Sequence, residues 1–181
     1  MTVYRTSHIL AAAVASLLCL NAAGQTFYGG LFNSPKGIGI DAEFHNREDR
    51  IQSIQLYADI YGMPGGQVDR PGIKLNWNCG YILKTWQKEN CDVLFHLGPG
   101  ISLGYVRDLK MGNSPGVAFC LSGSVGWMFR FRRSISLNLS WTAEAGMHIR
   151  QEPGLDGSKV ALYKNGLARF PLPQLSIIKR F

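Results

Sequence analysis

Residues 134–150 read SISLNLSWTAEAGMHIR. One set of alternate positions is Ile135, Leu137, Leu139, Trp141, Ala143, Ala145, Met147 and Ile149; the other is Ser136, Asn138, Ser140, Thr142, Glu144, Gly146, His148 and Arg150. A helix of 3.6 residues per turn would scramble these two sets, whereas a strand puts one on each face. At ~3.3 Å per residue the stretch spans roughly 50 Å, well beyond an ordinary globular strand.

The same period recurs on both sides of this stretch. Residues 116–131 oppose Val117, Phe119, Leu121, Val125, Trp127, Phe129 and Phe131 to Ala118, Cys120, Ser122, Ser124, Gly126, Met128 and Arg130. Residues 92–106 and 72–84 alternate in the same way, and shorter versions occupy 52–61 and 37–45. A weaker alternation over 167–181 and an aromatic run at 27–32 bring the total to eight segments. Pro99 falls inside one of them, where it removes a ladder donor, so a bulge between Gly98 and Gly100 is expected there. Pro171 and Pro173 pose the same difficulty in the last.

The makeup of the polar face indicates which face meets water. A solvated surface carries about 25–35% charged residues, but here the polar face is mostly Gly, Ser, Ala, Asn and Thr. Charged residues are 17% of the whole chain, against 46% hydrophobic, and Gly contributes 21 of 181 residues. Small polar side chains suit the crowded interior of a narrow barrel, and the large aromatic face suits lipid. The expected fold is therefore all-β, an eight-stranded antiparallel up-and-down transmembrane β-barrel. Asp41, Glu43, Asp59, Lys74, His96, Glu144, His148 and Arg150 are expected to form a polar network in its lumen. The competing arrangement, a secreted soluble barrel with an apolar ligand inside, requires the Leu137 and Trp141 face to point inward.

Residues 1–24 read as an address. Arg5 precedes an apolar run over 9–20, and Ala22 and Gly24 are small residues at a cleavage point, as in a secretory signal peptide. The expected domains are a signal peptide at 1–24 and the barrel at 25–181. An even strand number returns the chain to the side it entered. The connections at 46–51, 85–91 and 132–133 then face the periplasm, and those at 33–36, 62–71, 107–115 and 151–166 face outward. Three of these outward connections are long and rich in Gly and Pro, the asymmetry expected of such barrels. The formal charge of +7 comes from scattered basic residues. With an exported address, this argues against nucleic acid as a partner. Cys79, Cys91 and Cys120 match no zinc spacing and read as free thiols, and no cofactor or metal is expected.

With a signal peptide, eight amphipathic strands and a terminal aromatic Phe181, the chain resembles the small OmpA/OmpX-like outer-membrane β-barrels of Gram-negative bacteria. The resemblance covers nearly all of residues 25–181 and is architectural. It implies residence in the cell outer membrane among its lipids. It also implies recognition by the barrel-assembly machinery through Phe181 with Ile177 and Leu175, although Lys179 departs from the usual apolar pattern. Function then lies in envelope structure or in what the external loops bind.

An alternative is a lipid-modifying enzyme of acyl-hydrolase type. It would draw on His96, His148 and Glu144 with Ser102, Ser122, Ser124 or Ser140. Glu144 and His148 share a face but stand roughly 13 Å apart along it, too far to bond directly. Serines in a narrow lumen are expected on steric grounds alone, so no catalytic residue is assigned.

Overall fold

The computed structural model describes residues 26–47, 49–109, 114–131, 134–151 and 158–181. The signal-peptide reading at 1–24 lies outside them. Seven strands follow one another: β1 (Thr26–Ser34), β2 (Gly37–Arg47), β3 (Arg50–Asp59), β4 (Gly72–Gln87), β5 (Cys91–Asp108), β6 (Ser114–Phe131) and β7 (Ile135–Gln151). A short strand β8 (Ser158–Leu162), one helical turn α1 (Lys164–Ala168) and β9 (Gln174–Arg180) complete the chain.

Every pairing is antiparallel, and each of β1 to β6 pairs with the next. The sheet closes because β7 pairs with β6 and β9, and β9 pairs with β1. The result is one all-β sheet joined into a ring of eight strands. One end of the ring carries short turns and the first and last described residues, Thr26 and Phe181. The other carries the longer connection over 60–71 and the β8–α1 segment.

The alternation in β7 decides what lies inside. Ser136, Asn138, Ser140, Thr142, Glu144 and His148 are all buried, whereas Ile135, Met147 and Ile149 are exposed. The same holds around the ring. Leu31, Ile40, Leu56, Ile73, Ile101, Leu121 and Ile177 face out, while Asp41, Glu43, Asn76 and Lys74 are almost wholly buried. Leu137 and Trp141 belong to the outer set, and Trp141 meets Trp127 edge-on at 5.8 Å on that face. Most apolar side chains that enter the interior do so near the two ends, apart from Phe32 and Tyr57, whose buried rings meet at 4.9 Å. Tyr28, Ile51, Leu94, Met128 and Ile178 cluster at the short-turn end, and Val106, Ala118, Cys120 and Tyr163 at the other.

Three local expectations need correction. The segment 167–181 is not one strand: α1 ends at Ala168, Pro171 and Pro173 lie in the turn that follows, and β9 begins only at Gln174. The prolines lack the N–H that a ladder needs, which is why pairing starts just after them. The residues upstream form β8, which runs beside the last five residues of β7 from Met147 to Gln151. β8 and β9 thus share one place in the ring, so an additional strand does not break the parity. Finally, no bulge forms at Pro99. The β4–β5 register holds from Asn78↔Gly100 to Tyr81↔Leu97, and the shift comes between Ile82 and Lys84 of β4. Gly98 has another reason to be glycine, since a Cβ there would sit 1.9 Å from the Cys79 carbonyl oxygen.

Between its pairing with β9, which stops at Ser140, and with β8, which starts at Met147, one edge of β7 has no strand beside it. Buried backbone groups need partners, and side chains and α1 supply them. Lys36 Nζ donates to the Thr142 carbonyl at 3.0 Å, and Tyr163 N–H to that of Gly146 at 2.9 Å. Gly166 lets α1 press against this edge, because a Cβ there would lie 2.4 Å from the Glu144 carbonyl oxygen.

Candidate functional site

The interior polar residues form three tiers. Nearest the longer connections, Arg169 Nη1 donates to Asp59 Oδ2 at 2.6 Å, both side chains being buried. The guanidinium also lies 4.3 Å over the Tyr61 ring. Lys74 forms an ion pair with Glu144, and its ammonium stands 5.1 Å over the Tyr163 ring. Asn165 Nδ2 donates to the Arg107 carbonyl at 3.1 Å, and Asp108 accepts from Lys164 N–H at 3.0 Å. These bonds lock the β8–α1 segment across the opening. The cleft left beside Asp59, Arg70, Arg107 and Arg169 measures only about 10 Å³, room for about one water molecule.

Lys36 is buried at the β1–β2 turn, and burial lowers its pKa to about 8 against the opposing pull of Glu144. Burial likewise pushes the Tyr163 phenol well above its ordinary range.

The middle tier runs through amides and hydroxyls. Asp41 accepts from Gln55 Nε2 at 3.0 Å and from the Ser176 hydroxyl. His96 Nε2 donates to Asn138 Oδ1 at 3.0 Å, and Asn138 Nδ2 donates to Glu43 Oε1 at 2.9 Å. Thr142 Oγ1 donates to Gln174 Oε1 at 2.9 Å.

The third tier opens at the short-turn end. His45 Nε2 donates to Glu43 Oε2 at 3.3 Å, and Arg130 Nη2 donates to His45 Nδ1 at 3.0 Å. Arginine has no acceptor, so Nδ1 carries no proton and His45 is the neutral Nε2–H tautomer. A chain of bonds therefore runs from His96 through Asn138, Glu43 and His45 to Arg130. Beyond it lies a cavity of about 160 Å³ lined by Tyr28, Asp92, Arg130, Phe131, Ser134, Ser136 and Arg180.

Of the residues singled out from the sequence, Asp59, Lys74 and Glu144 meet in the first tier. His148 sits beside them, donating from Nε2 to the Val106 carbonyl at 3.2 Å. Asp41, Glu43 and His96 meet in the second. Arg150 is half-buried near the rim, where its Nη1 donates to Ser114 at 3.3 Å. Phe181 is 76% exposed and stacks its ring 5.9 Å from that of Phe27.

Among the described residues neither His96 nor His148 is hydrogen-bonded to a serine. His96 and His148 bond Asn138 and Val106, Ser122 and Ser124 donate to Asn78 and the Gly98 carbonyl, and Glu144 is held by Lys74. Among the described residues no cluster of His, Cys, Asp and Glu has the makings of a metal site, and Cys79, Cys91 and Cys120 are free.

Sequence reasoning missed Lys36, Asn138, Tyr163 and Arg169 as members of the network. Asn138 stood on the polar face and was readable as interior. Lys36 and Arg169 lie in a turn and after a helix, where period two carries no information.

No family model, curated protein or solved structure matches the chain.

Proposed function

We propose that this chain is an outer-membrane β-barrel of the OmpA/OmpX-like kind, closed by its own side chains. Its role is structural, or one of interaction through the loops at the long-connection end. One observation carries the reading: the inversion of an ordinary protein. Aliphatic and aromatic side chains face outward on all nine strands, from Leu31 and Ile40 through Trp77, Ile101 and Phe119 to Met147, Val160 and Ile177. Carboxylates, amides and ammonium groups are buried inside. A soluble monomer rarely exposes a contiguous apolar patch above a few hundred Å², and here the apolar band runs around the whole ring. Lipid is the solvent that makes this arrangement favourable, because the ring pairs most of its backbone internally and the β8–α1 segment and Lys36 cover the gap in the β7 ladder.

In this reading Thr26, Phe181 and the ends of β2, β4 and β6 face the periplasm, and the β1–β2 turn and the 60–71 connection face outward. Strands β5 and β6, each of 18 residues, exceed the ~9–11 needed to cross a bilayer and project beyond it. Outer-membrane lipids are the standing partner. The barrel-assembly machinery is the transient one, engaging Phe181 and the outward residues Ile177 and Leu175.

The test is electrophoresis of detergent-extracted protein in SDS, with and without boiling, beside fractionation of the expressing cells. A heat-dependent mobility shift from the membrane fraction is expected. Recovery in the aqueous fraction without a shift would reject the proposal and favour the soluble, ligand-filled alternative.

A further inference from the structure

We infer that the cavity at the short-turn end is a binding site for a carboxylate monoanion. The inference concerns the interior of the ring and does not depend on what covers its outer face.

Four observations carry it. The cavity is large enough, since about 160 Å³ exceeds the ~30 Å³ share of one water molecule severalfold. Among the described residues its lining is cationic on balance: Arg130 and Arg180 stand against the carboxylate of Asp92, which lies opposite Arg130 across the β5–β6 ladder. Among the described residues neither arginine has a carboxylate at ion-pair distance. The Arg130 guanidinium is fixed by a neutral acceptor, His45 Nδ1, which is itself fixed by Glu43. It is therefore oriented without being neutralised, the condition under which an arginine fork binds a planar oxyanion strongly. Finally, the lining contains donors that lack acceptors. Arg130 Nε and the Ser136 hydroxyl are buried with no hydrogen-bond partner, and Ser136 as a residue is wholly buried. Buried donors without acceptors are costly, and a carboxylate seated beside them supplies what is missing. Among the described lining residues two cations stand against one anion, a balance that suits a carboxylate better than a phosphate dianion. The ligand is either a free small acid or the terminal carboxylate of a peptide.

The experiment titrates isotope-labelled full-length protein, folded in detergent micelles, with acetate, N-acetylalaninate, their primary amides and inorganic phosphate. The Arg130 Nε–H resonance is followed by NMR. Both carboxylates are expected to shift it saturably, the amides to leave it unmoved, and phosphate to compete poorly. Arg180→Gln and Ser136→Ala are then read on the Arg130 signal, and Arg130→Gln on the Ser136 amide. Arg130→Gln should weaken binding about 10–100-fold, and Ser136→Ala should weaken it severalfold. Equal affinity for acetate and N-acetylalaninate assigns the site to free acids; several-fold tighter N-acetylalaninate assigns it to a peptide terminus. No saturable carboxylate shift, an equal response to the amides, or phosphate binding more tightly than either carboxylate would overturn the inference. So would full affinity in Arg130→Gln or, should that variant not fold, in both Arg180→Gln and Ser136→Ala. A heat-dependent mobility shift run on each preparation reports the barrel reading separately.

Discussion

Arg169 and Asp59 stand 110 residues apart in the chain and meet at 2.6 Å inside the ring. One side chain comes from the turn after α1 and the other from the end of β3. Their pairing ties the segment that replaces a strand to the far wall. Removing one partner leaves a buried charge alone, which typically costs about 3–5 kcal/mol. Arg169→Met and Asp59→Leu should each lower stability on that scale, and the double variant should recover a large part of the loss. Urea midpoints in micelles, read by tryptophan fluorescence, measure this. Additive losses in the double variant would show that the two residues act independently.

Lys36 predicts a pH dependence. Its folded-state pKa of about 8 lies below the ordinary 10.5, so the unfolded chain binds more protons between those values. Stability contributed at this position therefore rises with pH through that window and is lowest where Lys36 must stay charged. The full difference is at most about 3 kcal/mol. The wild-type stability minus that of Lys36→Met should grow more favourable to wild type from about pH 8 to pH 10.5. A flat difference across the window would refute this account of Lys36.

Two glycines make a matched pair. A Cβ on Gly98 would lie 1.9 Å from the Cys79 carbonyl oxygen, whereas a Cβ on Gly123 meets nothing within 4 Å. Gly98→Ala forces β4 and β5 apart and should cost about 1–3 kcal/mol or more. Gly123→Ala should be neutral or slightly stabilising, by at most about 1 kcal/mol. Unfolding midpoints of the two variants, measured side by side, check the contrast.

Leu121 tests the proposed lipid contact. It is 67% exposed in the middle of β6. Against lipid, Leu121→Arg should destabilise the folded form by about 2–4 kcal/mol in vesicles. Against water, an exposed substitution of this kind stays within about 0.5 kcal/mol. Folding titrations in lipid vesicles separate the two outcomes.

Most of the strand pattern could be read because period two is a local property. Ile135 to Arg150 sorts into outer and inner sets with no knowledge of neighbours, and the structure places those sets as the alternation implies. The reading failed where that period lapses. The weak alternation over 167–181 suggested one strand, but the end of a helical turn and two prolines occupy its first seven residues, and only Gln174–Arg180 is strand. Pro99 was expected to force a bulge, yet the register passes through it unchanged.

The amino-acid order alone thus determined the all-β class, the positions of β1 to β7 and the division into an apolar and a polar face, because each follows from side chains two residues apart. Only the closed sheet decided which polar groups meet. Asn138 joining His96 to Glu43, Lys36 reaching the Thr142 carbonyl and Arg169 finding Asp59 all depend on registers set by many ladders at once. Such long-range pairings arise from the stagger of the whole ring, and no stretch of sequence encodes that stagger by itself.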